Sequence, residues 1–498
     1  MCAPSFTTRS LRNWSRGKMN KKEQRPIFHL TPPEGWINDP NGFSLRDGEY
    51  HMYYQHNPGS SYWGPPCWGH ATSRELLSWE HQGDAMAPDK KYDRGGCFSG
   101  QTIKLDDGRV MAMYTGNVFE DDDMKKPGTQ TQCIAFERDG IFEKYQGNPV
   151  IDVGSAPAGT DKGQFRDPDI WQGADGIYRS IIACRHEKRG PQLLMYKSLD
   201  GVKWEFSKVF LEGIPGTGWM WECPDLIRME EKDVILISSI GDEERDIENS
   251  KRSLAFIGSY HEDSETFKVE RVKRLDKGID FYAPQSVITA DGRRIIIGWM
   301  QHPDTANDRD DEREYFGQLS LPRELYIKEG KLMQRPAREL EDRWCEKAEH
   351  TGVEITDEAI TLEGVRGREV DMTVSLRPGE INPLEEFQIA WAKDENYETV
   401  LTYRPEGSRF IIDRSKSSDE HTKIDRRDVV IIGKHLVGKS KEIKIRLILD
   451  RNSAEIFIGD GEEVMTVTFY TRCEAESIEF RSKGKAIMDV AKYRIKEK

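Results

Sequence analysis

Trp36-Ile37-Asn38-Asp39-Pro40-Asn41-Gly42 is the stretch from which the rest of the chain can be read. By local chemistry it is a turn. Proline fixes φ, glycine admits left-handed φ, and Asn and Asp side chains cap nearby backbone groups. One reading is a strand-ending turn that leaves Asp39 in water. The other weighs the neighbours: a tryptophan, an amide and a carboxylate against a stiff Pro-Gly turn describe an acid held rigidly beside an apolar platform.

Two further carboxylates have comparably stiff settings. Asp167 lies in Phe165-Arg166-Asp167-Pro168, and Glu222 in Trp221-Glu222-Cys223-Pro224-Asp225. Asp39, Phe98, Asp167, Glu222 and Tyr282 follow one another at intervals of about 55 to 70 residues, room for four strands and their loops. Between them run short, alternating, aromatic segments at 49–55, 110–115, 176–184, 234–239, 254–260 and 294–300, the period-2 pattern of half-buried strands. Asp-Gly pairs at 47-48, 107-108, 139-140, 175-176, 200-201 and 291-292 supply hairpin turns. Five such units predict a five-bladed β-propeller, in which innermost strands bring residues distant in sequence into one funnel. A charged, helix-compatible stretch follows, and then seven short alternating strands from 370 to 470, which predict a β-sandwich. The expectation is an all-β chain: a leader at 1–25, disordered by composition, a propeller at 26–335, a linker at 336–348 and a sandwich at 349–498.

Bulk properties exclude several classes of function. At 498 residues the chain exceeds one ordinary core. A net charge of −14 disfavours nucleic acid and anionic membrane as partners. Eight cysteines are scattered without metal-knuckle or disulfide-framework spacing, so reduced thiols, no metal and no cofactor are expected. No stretch reaches transmembrane length, and the Ser/Thr/Arg-rich residues 1–18 lack the apolar core of a secretion signal. A cytoplasmic protein is the expectation.

The blocks W-I-N-D-P-N-G, R-D-P and E-C-P, in this order, resemble glycoside hydrolase family 32, the β-fructofuranosidases. Gln55, Trp63, Trp68-Gly69-His70, Phe98-Ser99-Gly100, Tyr114-Thr115-Gly116-Asn117, Asp280-Phe281-Tyr282-Ala283 and Leu321-Pro322-Arg323 extend the resemblance over roughly residues 26 to 498. It implies the same two-domain architecture and a small carbohydrate substrate. It further implies Asp39 as nucleophile, Glu222 as general acid and base, and Asp167 as the acid that holds the fructosyl hydroxyls. Trp36, Asn38, Gln55, Trp63, Phe98, Ser99 and Arg166 are the implied substrate-binding residues. A fructosyltransferase sharing the covalent intermediate, and a non-catalytic fructan-binding relic, stay open as alternatives.

The residues themselves add expectations. Asn38 should keep Asp39 ionised, while Trp221 and Cys223 should desolvate Glu222 and raise its pKa. Strand alternation should send Arg166 and Asp167 to opposite faces and prevent a direct pair. Trp68-Gly69-His70 and Trp299 read as packing. Cys223 has no histidine to activate it as a nucleophile. Asp225 is the nearest substitute should Glu222 not be the acid.

Overall fold

Asp-Gly pairs reverse the chain where the sequence places them. Asp47 and Gly48 both take positive φ (51° and 81°), as do Asp139 and Gly140 (52° and 82°), the two-residue turn whose twist matches its flanking strands. The computed structural model describes residues 25–126, 128–241, 251–301, 314–379, 381–418, 429–432 and 442–498. The leader expected at 1–25 therefore lies outside the described residues, except for Arg25.

Five meandering sheets follow in order. Their innermost strands are Gly35–Arg46, Cys97–Lys104, Thr160–Gln172, Met220–Ile227 and Tyr282–Ile288, each the first strand of its blade. These strands contact one another in a closed ring, the fifth returning to the first. Tyr315–Phe316 adds a parallel strand to the start of Gly35–Arg46 and ties the last blade to the first. The result is the expected five-bladed propeller. Apolar side chains fill the spaces between blades; Ile181, Leu193, Trp221, Ile235 and Phe256, for instance, pack between the third and fourth.

All five innermost strands carry a bulge at the motif. Register slips between Ile37 and Pro40, Phe98 and Gly100, Arg166 and Asp169, Glu222 and Asp225, and Tyr282 and Gln285. Proline explains four of these: Pro40, Pro168, Pro224 and Pro284 lack the N–H that a regular ladder needs, so a bulge is where they fit. Asp167, Cys223 and Ala283, each preceding such a proline, take left-handed φ (60°, 47° and 49°). The residue after the proline then reaches the next blade. Asp169 accepts from Leu226 N (2.9 Å), Asp225 from Ser286 N (2.6 Å), and Gln285 from Phe43 N (3.2 Å).

Two six-stranded antiparallel sheets make the C-terminal sandwich. Trp344–Thr356, Ser477–Lys483 and Lys485–Ile495 are strands beyond the seven expected. Trp344–Thr356 begins inside the stretch read as linker, after a 3-10 turn at Arg338–Arg343. It is a largely exposed outer strand, so its charges conceal its alternation; Trp344 stacks on Tyr493 of the neighbouring strand (4.1 Å, 8°). Sandwich and propeller meet through buried ions. His29 bridges Asp450 (2.8 Å) and Glu455 (2.9 Å), and Arg323 joins Glu455 (2.6 Å) to Asp276 (2.8 Å). Arg414 bonds Asp280 (2.8 Å), two residues before Tyr282.

Candidate active site

The bulge in Gly35–Arg46 turns Asp39 into the funnel, and a loop of polar groups fixes it there. Trp36 Nε1 donates to Asn38 Oδ1 (2.7 Å), and Asn38 Nδ2 donates both to Asp39 Oδ1 (3.2 Å) and to Gln55 Oε1 (3.0 Å). Gln55 Nε2 donates to Ser99 Oγ (2.7 Å), which donates to Asp39 Oδ2 (2.9 Å). Gln55, from the second strand of the first blade, thus sets both donors that hold the carboxylate.

Glu222 has a different setting. Arg166 meets its Oε1 through Nη2 (2.8 Å) and Nε (3.2 Å), and Tyr282 donates to its Oε2. Gln164 orients the guanidinium from the other side, accepting from Nη1 (2.7 Å). Arg166 Nε also stands 3.7 Å from Asp167 Oδ2, contrary to the alternation argument. The bulge and the left-handed φ at Asp167 bring both side chains to one side. Asp167 N donates to Thr115 Oγ1 (2.9 Å), and Cys223 N donates to Asp167 Oδ2 (3.1 Å). The Cys223 thiol lies against Asp39 Oδ2 (3.6 Å) and Asp167 Oδ2 (3.7 Å). Burial pushes its pKa well above the ordinary value, so it is no thiolate nucleophile.

The proton affinities run opposite to expectation. Burial and the charge of Glu222 raise Asp39 to about 6, despite the hydrogen bonds from Ser99 and Asn38. Burial raises Asp167 to about 7, against the pull of Arg166. Burial also pushes Glu222 up, but Arg166, Tyr282 and Lys251 outweigh it and hold its carboxyl below the usual range. Arg166 stands against both Asp167 and Glu222, but its hydrogen bonds go to Glu222, which Lys251 also favours as the ionised form.

A cavity of about 460 Å³ opens here, and all ten residues singled out in the sequence line it: Trp36, Asn38, Asp39, Gln55, Trp63, Phe98, Ser99, Arg166, Asp167 and Glu222. Trp63, 39 % exposed, forms an aromatic rim edge-on to Phe98 and Phe119 (6.3 Å each). Trp299 lines the cavity too, so it is more than packing; its indole N–H is buried without a partner among the described residues. Trp68 and His70 do pack as expected, His70 stacking on Tyr53 (4.3 Å). Tyr282 is the residue that sequence reasoning passed over. Its block was quoted, yet nothing local marks a tyrosine as the partner of a carboxylate 60 residues earlier. Asp225 is buried away from the cavity lining, so it is no substitute for Glu222. Among the described residues no cluster of His, Cys, Asp and Glu is arranged to hold a metal, and no helix is long and apolar enough to cross a membrane.

Comparison with known proteins places this geometry. Residues 29–336 match the model of the glycosyl hydrolases family 32 N-terminal domain, and residues 339–497 match the family 32 C-terminal model. The chain is 33% identical over 482 residues to a raffinose invertase of Escherichia coli, covering 93% of each protein. It is 31% identical over 477 residues to an E. coli sucrose-6-phosphate hydrolase, again covering 93% of each. A solved GH32 β-fructofuranosidase of Bombyx mori superposes with a TM-score of 0.78 at 30% identity, over 95% of this chain and 94% of that one.

Proposed function

The chain belongs to glycosyl hydrolase family 32, and on that premise we propose that it is a retaining β-fructofuranosidase that transfers a terminal β-D-fructosyl group to water. The observation that carries this reading is the convergence of Asp39, Asp167 and Glu222 on one cavity in three unlike settings. Asp39 attacks the anomeric carbon of the fructosyl ring. The loop through Asn38, Gln55 and Ser99 prevents its rotation and leaves lone pairs directed into the cavity. Glu222 protonates the glycosidic oxygen as the bond to the leaving sugar breaks, then takes a proton from the water that attacks the fructosyl ester. Arg166 and Tyr282 position it through both steps. Asp167 accepts hydrogen bonds from fructosyl hydroxyls as positive charge develops on the ring. The indole platforms of Trp36 and Trp299 and the rim at Trp63 bind the apolar faces of the sugar.

The measurement that tests this is the product ratio from sucrose. Equal glucose and fructose mean hydrolysis, excess glucose means transfer to sugar, and no release from any fructoside ends the catalytic reading. A phosphorylated leaving sugar is a second reading, favoured by Lys125 and Lys251 in the cavity wall, where the sequence had revealed no cationic patch. Sucrose 6-phosphate in the same assay decides between the two. The domain limits proposed are a propeller over 26–335 and a sandwich over 349–498, whose outer strand reaches back to Trp344.

A further inference from the structure

Trp219 lies outside the cavity lining, one residue before the strand that carries Glu222. It is 38 % exposed, whereas Trp221 beside it is fully buried. Two hydrogen bonds hold it in place: its backbone N–H donates to Ile240 O (2.8 Å) and its indole Nε1 to Gly241 O (2.9 Å). Gly218, at φ 85°, permits this approach, since a Cβ there would meet Ile240 O at 2.2 Å. Arg185 lies over the indole, 5.2 Å from the ring centroid, with Asp161 at 3.9 Å beyond. A single exposed aromatic needs no explanation. One fixed by two hydrogen bonds and backed by a guanidinium is a pre-organised platform, with little entropy left to lose on binding.

Its position tells what it would bind. Ile240, which accepts the Trp219 backbone bond, lines the cavity, as do Gly163 and Gln164 on the strand paired with that of Arg185. In the fructosidase reading the proton donor lies beside the glycosidic oxygen, so the leaving sugar occupies the Glu222 side. Trp219 is three residues outward along the same chain, about 10 Å at the usual strand rise. That places it past the leaving sugar. Resting on that reading, we infer that Trp219 and Arg185 form a subsite for the third ring of a trisaccharide, the ring attached to the leaving sugar. The indole receives an apolar sugar face, and Arg185 and Asp161 offer a donor and an acceptor for its hydroxyls.

The test compares kcat/KM for sucrose, raffinose and 1-kestose in the wild type, Trp219→Ala and Trp219→Phe. Loss of the platform should lower the trisaccharide-to-sucrose ratio about 10-fold in Trp219→Ala, with Trp219→Phe keeping most of it. Arg185→Ala, which leaves both indole hydrogen bonds in place, should lower the same ratio by a smaller factor. A ratio unchanged in both alanine variants overturns the subsite, as does an equal loss on all three sugars. If sucrose is cut and only the ratio fails to move, the subsite alone falls. If the wild type releases fructose from none of the three, the fructosidase reading falls and the subsite with it.

Discussion

Asp39 accepts at both oxygens, from Asn38 Nδ2 and Ser99 Oγ. In Asp39→Asn the oxygen can keep the Asn38 bond and the Ser99 hydroxyl can turn to accept from the new amide nitrogen, so the replacement should remove the proposed nucleophile and leave the fold intact. Turnover of sucrose should drop by several orders of magnitude with an unchanged circular dichroism spectrum; a folded variant keeping more than about a tenth of the activity would sink the assignment. Glu222→Ala should behave differently. It should impair ordinary fructosides far more than an activated fructoside with an acidic leaving group, and added azide should restore turnover and yield the retained fructosyl azide. Equal losses on both substrates without azide rescue would move the acid/base role elsewhere. The proton affinities predict the pH profile. In the proposed mechanism attack needs Asp39 ionised and Glu222 protonated, a pair holding one proton, and that form has the same proton count as its reverse. Below the depressed pKa of Glu222 both are protonated; above about 6, where Asp39 titrates, the shared proton is lost. The alkaline limb of kcat/KM should therefore lie near pH 6. Arg166→Gln withdraws the cation that favours the ionised carboxyls, so the limb should shift to higher pH as activity falls; a shift to lower pH would contradict this account.

The bulged innermost strand is the element that makes the site. A regular strand would alternate its side chains and leave half of the motif facing the next blade. The bulge lets Arg166 and Asp167 share the funnel and frees the residue after proline to bond the neighbouring blade. Asp225 shows the second use: its carboxylate accepts from both Ser286 N (2.6 Å) and Ser286 Oγ (3.1 Å). Asp225→Ala leaves a buried N–H without its acceptor, a cost of about 1–3 kcal/mol. The urea midpoint should fall by a corresponding amount. No azide rescue and no preference for activated leaving groups should accompany it; either would reopen the case for Asp225 as the acid.

The whole molecule adds the buried ionic seam between propeller and sandwich. Burial lowers the pKa of His29, but hydrogen bonds and charge from Asp450 and Glu455 prevail and raise it from 6.5 to about 9. A raised histidine contributes its full stabilisation below the unfolded pKa and loses it as pH climbs through the folded one. The melting temperature should therefore decline between pH 6.5 and about 9. In His29→Gln the protein should be less stable at pH 6.5, and that part of the decline should vanish. A wild-type melting temperature flat across this window would show that His29 is not the imidazolium of the seam. The same seam reaches the site, because Arg414 and Thr468 of the sandwich hold Asp280 two residues before Tyr282.

The order and chemistry of the five blocks, the all-β alternation and the Asp-Gly turns were legible in the chain, because each acts through backbone geometry within a few residues. Ten of the residues lining the cavity were legible for a related reason: stiff X-Pro settings and a family pattern are local features of sequence. Only the closed ring of blades decided which groups meet. It put Arg166 and Tyr282 on Glu222, made Trp299 part of the wall and buried Asp225 at a seam between blades. It also reversed the expected order of proton affinities, since a pKa sums burial and charge from strands some 60 residues apart. The half-exposed strand Trp344–Thr356 was concealed for the converse reason: its partner, Lys485–Ile495, is adjacent in the sheet but distant in sequence, and only that pairing gives its charged residues a regular structure.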